Sequence, residues 1–166
     1  MSGTHQYLVA LGSNQRVPGI GGPRAVLHRA VTMLEGAGFD IEAVSSIITS
    51  RPVGPSQRTY ANGALIATIG HAPLQALATL QQIERDCGRQ KRGQRWRSRP
   101  LDLDIVLWSG GKFDVRDLQI PHPMFRERDF VLGPAAAIAP DWRDPFTALT
   151  MKQLHARLTR NRPAPR

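Results

Sequence analysis

Apolar and polar positions along the chain follow two periods, one near two residues and one near 3.6, and each stretch predicts an element. Residues 7–11 (YLVAL) form a short apolar run closed by Gly12-Ser13-Asn14, which reads as a buried strand and a turn. Residues 19–23 are a glycine-rich loop. From Arg24, the apolar positions Val26, Leu27, Ala30, Val31 and Leu34 recur at helical spacing, and Gly36 and Gly38 end the helix. Residues 39–48 are β-branched and alternate imperfectly, which predicts one strand. Residues 51–59 (RPVGPSQRT) read as a loop, and 60–69 as a long strand. Pro73 opens a second helix, whose stripe of Leu74, Leu77, Leu80 and Ile83 runs up to Gly88. A basic loop over 88–99 leads into a strand at 101–108. Gly110-Gly111 turns the chain, Pro121-His122-Pro123 breaks it, and helices are expected over 130–139 and 149–158. The order β-α-β-β-α-β plus helices is the split βαβ pattern. It predicts an α+β, ferredoxin-like core with a mainly antiparallel sheet and additional C-terminal helices. No linker or repeat divides the chain, so 1–160 is expected to be one domain and 161–166 a flexible basic tail.

Composition narrows the class. A chain of 166 residues with 41% hydrophobic and 21% charged residues suits one globular domain with a real core. No apolar run reaches membrane-spanning length, and the first residues lack the basic-then-apolar pattern of a secretory leader. One cysteine, Cys87, excludes an intrachain disulfide and a cysteine metal cluster. A cytoplasmic location follows as the expectation. The net charge of +9 is concentrated: residues 85–99 carry seven Lys or Arg against the single acid Asp86. Most of the cations are arginines, whose planar fork grips phosphate. A polyanionic ligand, nucleotide or nucleic acid, is the expected partner.

The chemistry concentrates beside that basic segment. Asp102 and Asp104 sit two apart in the strand RPLDLDIVLW, so both point to one face while Leu101, Leu103, Ile105 and Leu107 line the other. Two hard carboxylates suit magnesium carried in with substrate phosphates. The same pair can instead be neutralised by the neighbouring arginines. Tyr60 and Asn62 share a strand face in the same way, one able to stack on a flat ring and the other to hydrogen-bond its edge. Phe130 offers a second aromatic wall or plain core. His122, held between prolines near Arg126 and Arg128, is placed to meet phosphate. Neither a P-loop nor the protein-kinase signature set is present. An RNA-binding module lacks a use for two aspartates facing a polyanion, and a metal-dependent nuclease leaves Tyr60, Asn62 and Phe130 unexplained.

Co-linear segments carry a resemblance: LGSN at 11–14, SRPVGP at 50–55, YAN at 60–62, QQIE at 81–84, GRQKRGQRWRSRPLDLDIVL at 88–107 and PHPMFRERDFVL at 121–132. With R-x-x-D-[LIV]-D over Arg99–Asp104 as the specific part, the chain resembles the 6-hydroxymethyl-7,8-dihydropterin pyrophosphokinase family over most of its length. The resemblance implies a magnesium-dependent diphosphotransferase of folate biosynthesis. Such an enzyme moves pyrophosphate from ATP to 6-hydroxymethyl-7,8-dihydropterin and releases AMP, as a monomer without nucleic-acid or membrane partners. It also implies that Asp102 and Asp104 hold two Mg²⁺ ions. Tyr60 and Phe130 would sandwich the pterin, Asn62 would read its edge, and Ser50 and Val53 would border the pocket. Gln81, Glu84, Trp96, Ile105 and His122 would surround ATP. Arg89, Arg92, Arg99 and Arg128 would join His122 in meeting phosphates during catalysis. The chain departs from the family's commonest pattern at Ser50, Arg51, Arg97-Ser98 and Pro123.

Overall fold

The computed structural model describes residues 3–50, 59–88 and 100–160. Its elements are strand β1 (His5–Ser13), helix α1 (Pro23–Gly36), strands β2 (Asp40–Val44), β3 (Ile48–Ser50) and β4 (Tyr60–Ile69), helix α2 (Pro73–Cys87), strand β5 (Asp102–Trp108), the short pair β6 (Phe113–Val115) and β7 (Leu118–Ile120), and helices α3 (Asp129–Ile138) and α4 (Met151–Thr159). A 3₁₀ turn, Phe125–Glu127, precedes α3. The main sheet runs β2-β4-β1-β5, with β3 also pairing β4, and every described pairing in it is antiparallel. This is the ferredoxin-like arrangement expected from the element order.

The sheet is covered on both faces. Tyr7, Val9 and Leu11 of β1, Leu65 and Ala67 of β4, and Leu103 and Ile105 of β5 face Val26, Leu27, Ala30 and Leu34 of α1 and Ala76, Leu80 and Ile83 of α2. On the other face, Leu8, Ile66, Val106 and Leu107 pack with Val131, Leu132 and Ala135 of α3 and Met151 and Leu154 of α4. Each large side chain buried this way contributes about 1.5–3 kcal/mol. Tyr7 is fully buried and donates its hydroxyl to the His71 carbonyl at 2.6 Å. Burial pushes its pKa up to about 12. Helix α4 starts with a reciprocal capping box: Thr150 Oγ1 accepts from the Gln153 amide at 3.1 Å, and Gln153 Oε1 accepts from the Thr150 amide at 2.9 Å.

Three readings of the pattern need correction. The single strand expected over 39–48 is two strands, β2 and β3. The Ser45 side chain accepts a hydrogen bond from the Ala64 amide at 2.9 Å and donates to the Ser46 carbonyl, so it competes with regular pairing where the ladder breaks. Leu107 does not share a face with Leu103 and Ile105. A bulge in the β1–β5 register, where Val9 pairs Ile105 but Leu8 pairs Leu107, shifts it into the α3–α4 core. The β6–β7 hairpin was not anticipated, because strands of three residues are too short to display a period. The expected tail, 161–166, and the loop over 51–58 lie outside the described residues.

Candidate active site

Strand alternation and register build the floor of the site. Ser13 pairs Ala61, Gly12 pairs both Asn62 and Asp102, and Ala10 pairs both Ala64 and Asp104. Tyr60, Asn62, Gly12, Ala10, Asp102 and Asp104 therefore share one sheet face. It is the face whose other half is covered by α3 and α4. Gly12 puts no side chain there, which leaves a gap between Asn62 on one side and Asp102 on the other, while Ala10 and Ala64 are already covered by the α3–α4 core. Asp102 and Asp104 are both exposed, and among the described residues no lysine or arginine forms an ion pair with Asp104. Asn62 is 8% exposed, and its amide makes no hydrogen bond among the described residues.

The rim comes from the turn before α3 and from its first residues. His122 is docked on β5 by its own amide, which donates to the Val106 carbonyl at 3.1 Å. Its Nδ1 accepts from the Met124 amide at 3.1 Å. A ring that accepts at Nδ1 carries its proton on Nε2, so the neutral imidazole is a donor at its free end. Burial lowers the His122 pKa from its ordinary 6.5; the Asp104 charge opposes this and the Arg128 charge adds to it. Arg128 lies 5.8 Å from the centre of the Phe130 ring, and Phe130 is largely exposed in the first turn of α3. Beneath this rim, Arg126 grips the fully buried Asp144 through two bonds, Nε at 2.6 Å and Nη2 at 2.8 Å. Asp144 also accepts from the Phe146 amide at 3.0 Å and the Thr147 hydroxyl at 2.8 Å. Its own burial would raise its pKa, but the Arg126 bonds and these two donors hold it below the ordinary 3.8.

The remaining expected residues divide into three groups. Gln81 and Glu84 lie on α2, in the opposite layer. Glu84 reaches the open edge of β5 and accepts from the Leu103 amide at 3.0 Å. The Ile105 side chain is 3% exposed and faces α1 and α2, so it is turned away from the carboxylate face. By strand alternation, its backbone lies on the β5 edge that Glu84 reaches. Ser50 ends β3 opposite Tyr60. Val53, Arg89, Arg92, Trp96 and Arg99 lie outside the described residues, as do Arg51, Arg97 and Ser98. Gly88 and Pro100 lie side by side at the foot of β5: a Cβ on Gly88 would lie 2.9 Å from Pro100 Cγ. Sequence reading passed over the bare Gly12 floor and the Arg126–Asp144 clamp. The LGSN turn signal hinted at the first. Nothing in the spacing of two charges 18 residues apart signals the second.

Residues 8–140 match the family described as 7,8-dihydro-6-hydroxymethylpterin-pyrophosphokinase (HPPK). The chain belongs to the HPPK family. A 2-amino-4-hydroxy-6-hydroxymethyldihydropteridine pyrophosphokinase of Synechocystis is 39% identical over 151 residues, covering 90% of this chain and 74% of the relative. One of Pseudomonas aeruginosa is 40% identical over 139 residues, covering 82% of each. Among solved structures, the Plasmodium falciparum HPPK-DHPS crystallised with pteroate superposes with a TM-score of 0.69 at 12% identity, over 95% of this chain and 43% of that one. At that identity the likeness is one of fold. This chain spans less than half of that longer protein. Within the HPPK family frame, Asp102 and Asp104 fit magnesium. They are hard oxygen donors on an exposed face, and no third His, Cys, Asp or Glu among the described residues joins them in a closed cage. Magnesium commonly uses such open sites, taking one or two carboxylates and completing its shell with phosphates and water.

Proposed function

We propose that this chain transfers pyrophosphate from ATP to 6-hydroxymethyl-7,8-dihydropterin, giving AMP and the pterin diphosphate, as a step in folate biosynthesis. The observation that carries the reading is the shared floor. A polar amide (Asn62), an exposed ring (Tyr60) and a carboxylate pair (Asp102, Asp104) lie on one sheet face, with the bare backbone of Gly12 between Asn62 and Asp102. Family membership supports the same chemistry.

In this reading the pterin lies between Tyr60 and Phe130 with its edge on Asn62, and Ser50 and Val53 border it. The gap over Gly12 leads its hydroxymethyl group toward the carboxylates. Magnesium, two ions in this reading, would be held by Asp102 and Asp104 and would supply charge neutralisation on the triphosphate. The pterin hydroxyl oxygen forms a bond to the β-phosphorus as the bond from that phosphorus to the oxygen bridging the α-phosphate breaks. The hydroxyl's proton passes to solvent water, and AMP leaves with the bridging oxygen on its α-phosphate. His122 donates from Nε2 to a phosphate oxygen, and Arg128 supplies positive charge beside it. Neither has to accept a proton, because phosphoryl transfer depends chiefly on position and electrostatics. Gln81, Glu84 and the Ile105 backbone line the β5 edge on the ATP side. Arg89, Arg92, Trp96 and Arg99 join that side from sequence alone. In this reading the working unit is a single chain with one domain over 1–160.

Phosphorus NMR of the purified protein with ATP, Mg²⁺ and 6-hydroxymethyl-7,8-dihydropterin tests the proposal. AMP and a pterin diphosphate should appear together. Formation of ADP, or no consumption of ATP by folded protein, would overturn it.

A further inference from the structure

We infer that Gly12 is a positioning residue for the pterin, its missing side chain setting where Asn62 holds its amide beside the carboxylates. The inference rests on the proposed function for its ligand, a reduced pterin, but its geometry stands without it. Gly12 lies one residue before the end of β1, still paired on both sides, opposite Asn62 on β4 and Asp102 on β5. These three residues form one row across the sheet, and at about 4.8 Å between strands Asn62 and Asp102 are about 10 Å apart with Gly12 midway.

Backbone conformation gives no reason for glycine here. Among the described residues the glycines with positive φ are Gly19, Gly21, Gly38 and Gly111, all in turns or loops, and Gly12 is not among them. A glycine inside a regular strand weakens it and marks a place where another group comes close. That group is Asn62. A Cβ on Gly12 would lie 3.3 Å from Asn62 Oδ1 and would meet nothing else within 4 Å. The amide therefore rests against bare backbone. No hydrogen bond to a described residue holds it, so its position depends on the space that Gly12 leaves. A methyl group at position 12 would push the amide by a few tenths of an ångström and would stand in the gap between the pterin and the carboxylates. Alanine is otherwise tolerated by an extended backbone, so the fold should survive.

Two measurements test this. The first needs no ligand: in Gly12→Ala, the Asn62 side-chain amide resonances should shift in a ¹⁵N–¹H spectrum while the resonances of α1, α2 and α4 stay in place. Unmoved Asn62 resonances would overturn the inference whatever the enzyme does. The second is a double-mutant cycle read by pterin affinity and by KM against kcat. Gly12→Ala should weaken pterin binding by about tenfold, as small misplacements at reacting centres do, with ATP affinity unchanged. In an Asn62→Ala background the same substitution should change pterin affinity less than about twofold. Equal effects in both backgrounds would mean that the methyl acts on the ligand directly, and positioning through Asn62 would be wrong. Failure of the wild type to make AMP and pterin diphosphate would defeat the functional reading and leave the ligand-free result standing.

Discussion

Asp144→Ala removes the anchor beneath the segment that carries His122, Arg128 and Phe130. The lost interactions are two charge-assisted bonds to Arg126, one to the Phe146 amide and one to the Thr147 hydroxyl. Bonds to charged groups are worth about 1.5–3 kcal/mol each, and breaking a fully buried pair costs about 3–5 kcal/mol. Here one partner is only partly buried: the Arg126 side chain is 29% exposed, so water recovers some of the loss. A net cost of about 3 kcal/mol is the consistent figure. For a chain of this size, that lowers the melting temperature by about 6–12 °C. Circular dichroism melts and urea midpoints at neutral pH measure it. Asp144→Asn keeps the shape and one acceptor, so it should lose less, and its deficit should depend on pH. The folded Asp144 carboxyl titrates below its unfolded value of 3.8, so its stabilisation is complete above that value and fades as pH falls through the lower folded one. The gap between wild type and Asp144→Asn should therefore begin to close just below pH 4. A melt of Asp144→Ala within about 2 °C of wild type, or a gap constant from about pH 6 to pH 3, would refute this account of the clamp.

Asp104→Asn should lower turnover by about a thousandfold, since the charge that would hold the metal is worth several kcal/mol in the transition state. Its stability should stay within about 0.5 kcal/mol of wild type because the side chain is exposed; near-normal turnover would sink the metal assignment. Chelation with EDTA should abolish activity and added magnesium restore it, with the melting temperature of the nucleotide-free protein moving by less than about 2 °C. A large stabilisation by the metal alone would instead indicate a closed structural site. Tyr7 titrates at about 12 in the folded chain against 10.0 unfolded, so its contribution is complete below pH 10 and is lost as pH rises toward 12. Tyr7→Phe should cost about 1 kcal/mol at neutral pH for the missing bond to His71 and should be less sensitive to alkali than wild type over that range. Parallel losses in the two proteins would contradict the assignment.

Legibility in the sequence followed the length over which one period holds. Helices α1 and α2 keep their apolar stripe for several turns, and β4 and β5 read correctly because their neighbours are turn residues and their composition is apolar. The split between β2 and β3 depends on where the Ser45 hydroxyl bonds, a choice made by β4 and invisible along residues 39–48. Leu107 changed face because a bulge depends on the register of a partner strand. The pairing of Asp102 with Asp104 was readable from alternation within one strand. Bringing Asn62 to the same floor required the strand order, and the role of Gly12 required both registers at once. The Asp144 clamp joins two loops whose approach is set by the α3–α4 core, so no local pattern announces it.

The α3–α4 layer covers only half of its sheet face, and the bare half is the floor on which the chemistry is proposed to occur. Asp102 and Asp104 stand on the edge strand β5, but Gly12 and Asn62 belong to β1 and β4, each flanked by paired strands on both sides. In protection against hydrogen exchange, such amides open last, in step with global unfolding, whereas turns open locally at little cost. Ligands would therefore land on ground that does not fluctuate independently, and the motion needed for entry and release would fall to the rim. Warming or mild destabilisation would loosen the grip of His122, Arg128 and Phe130 well before it altered the spacing of Gly12 and Asn62. Sequence change at the rim could tune turnover while leaving the reaction's template intact.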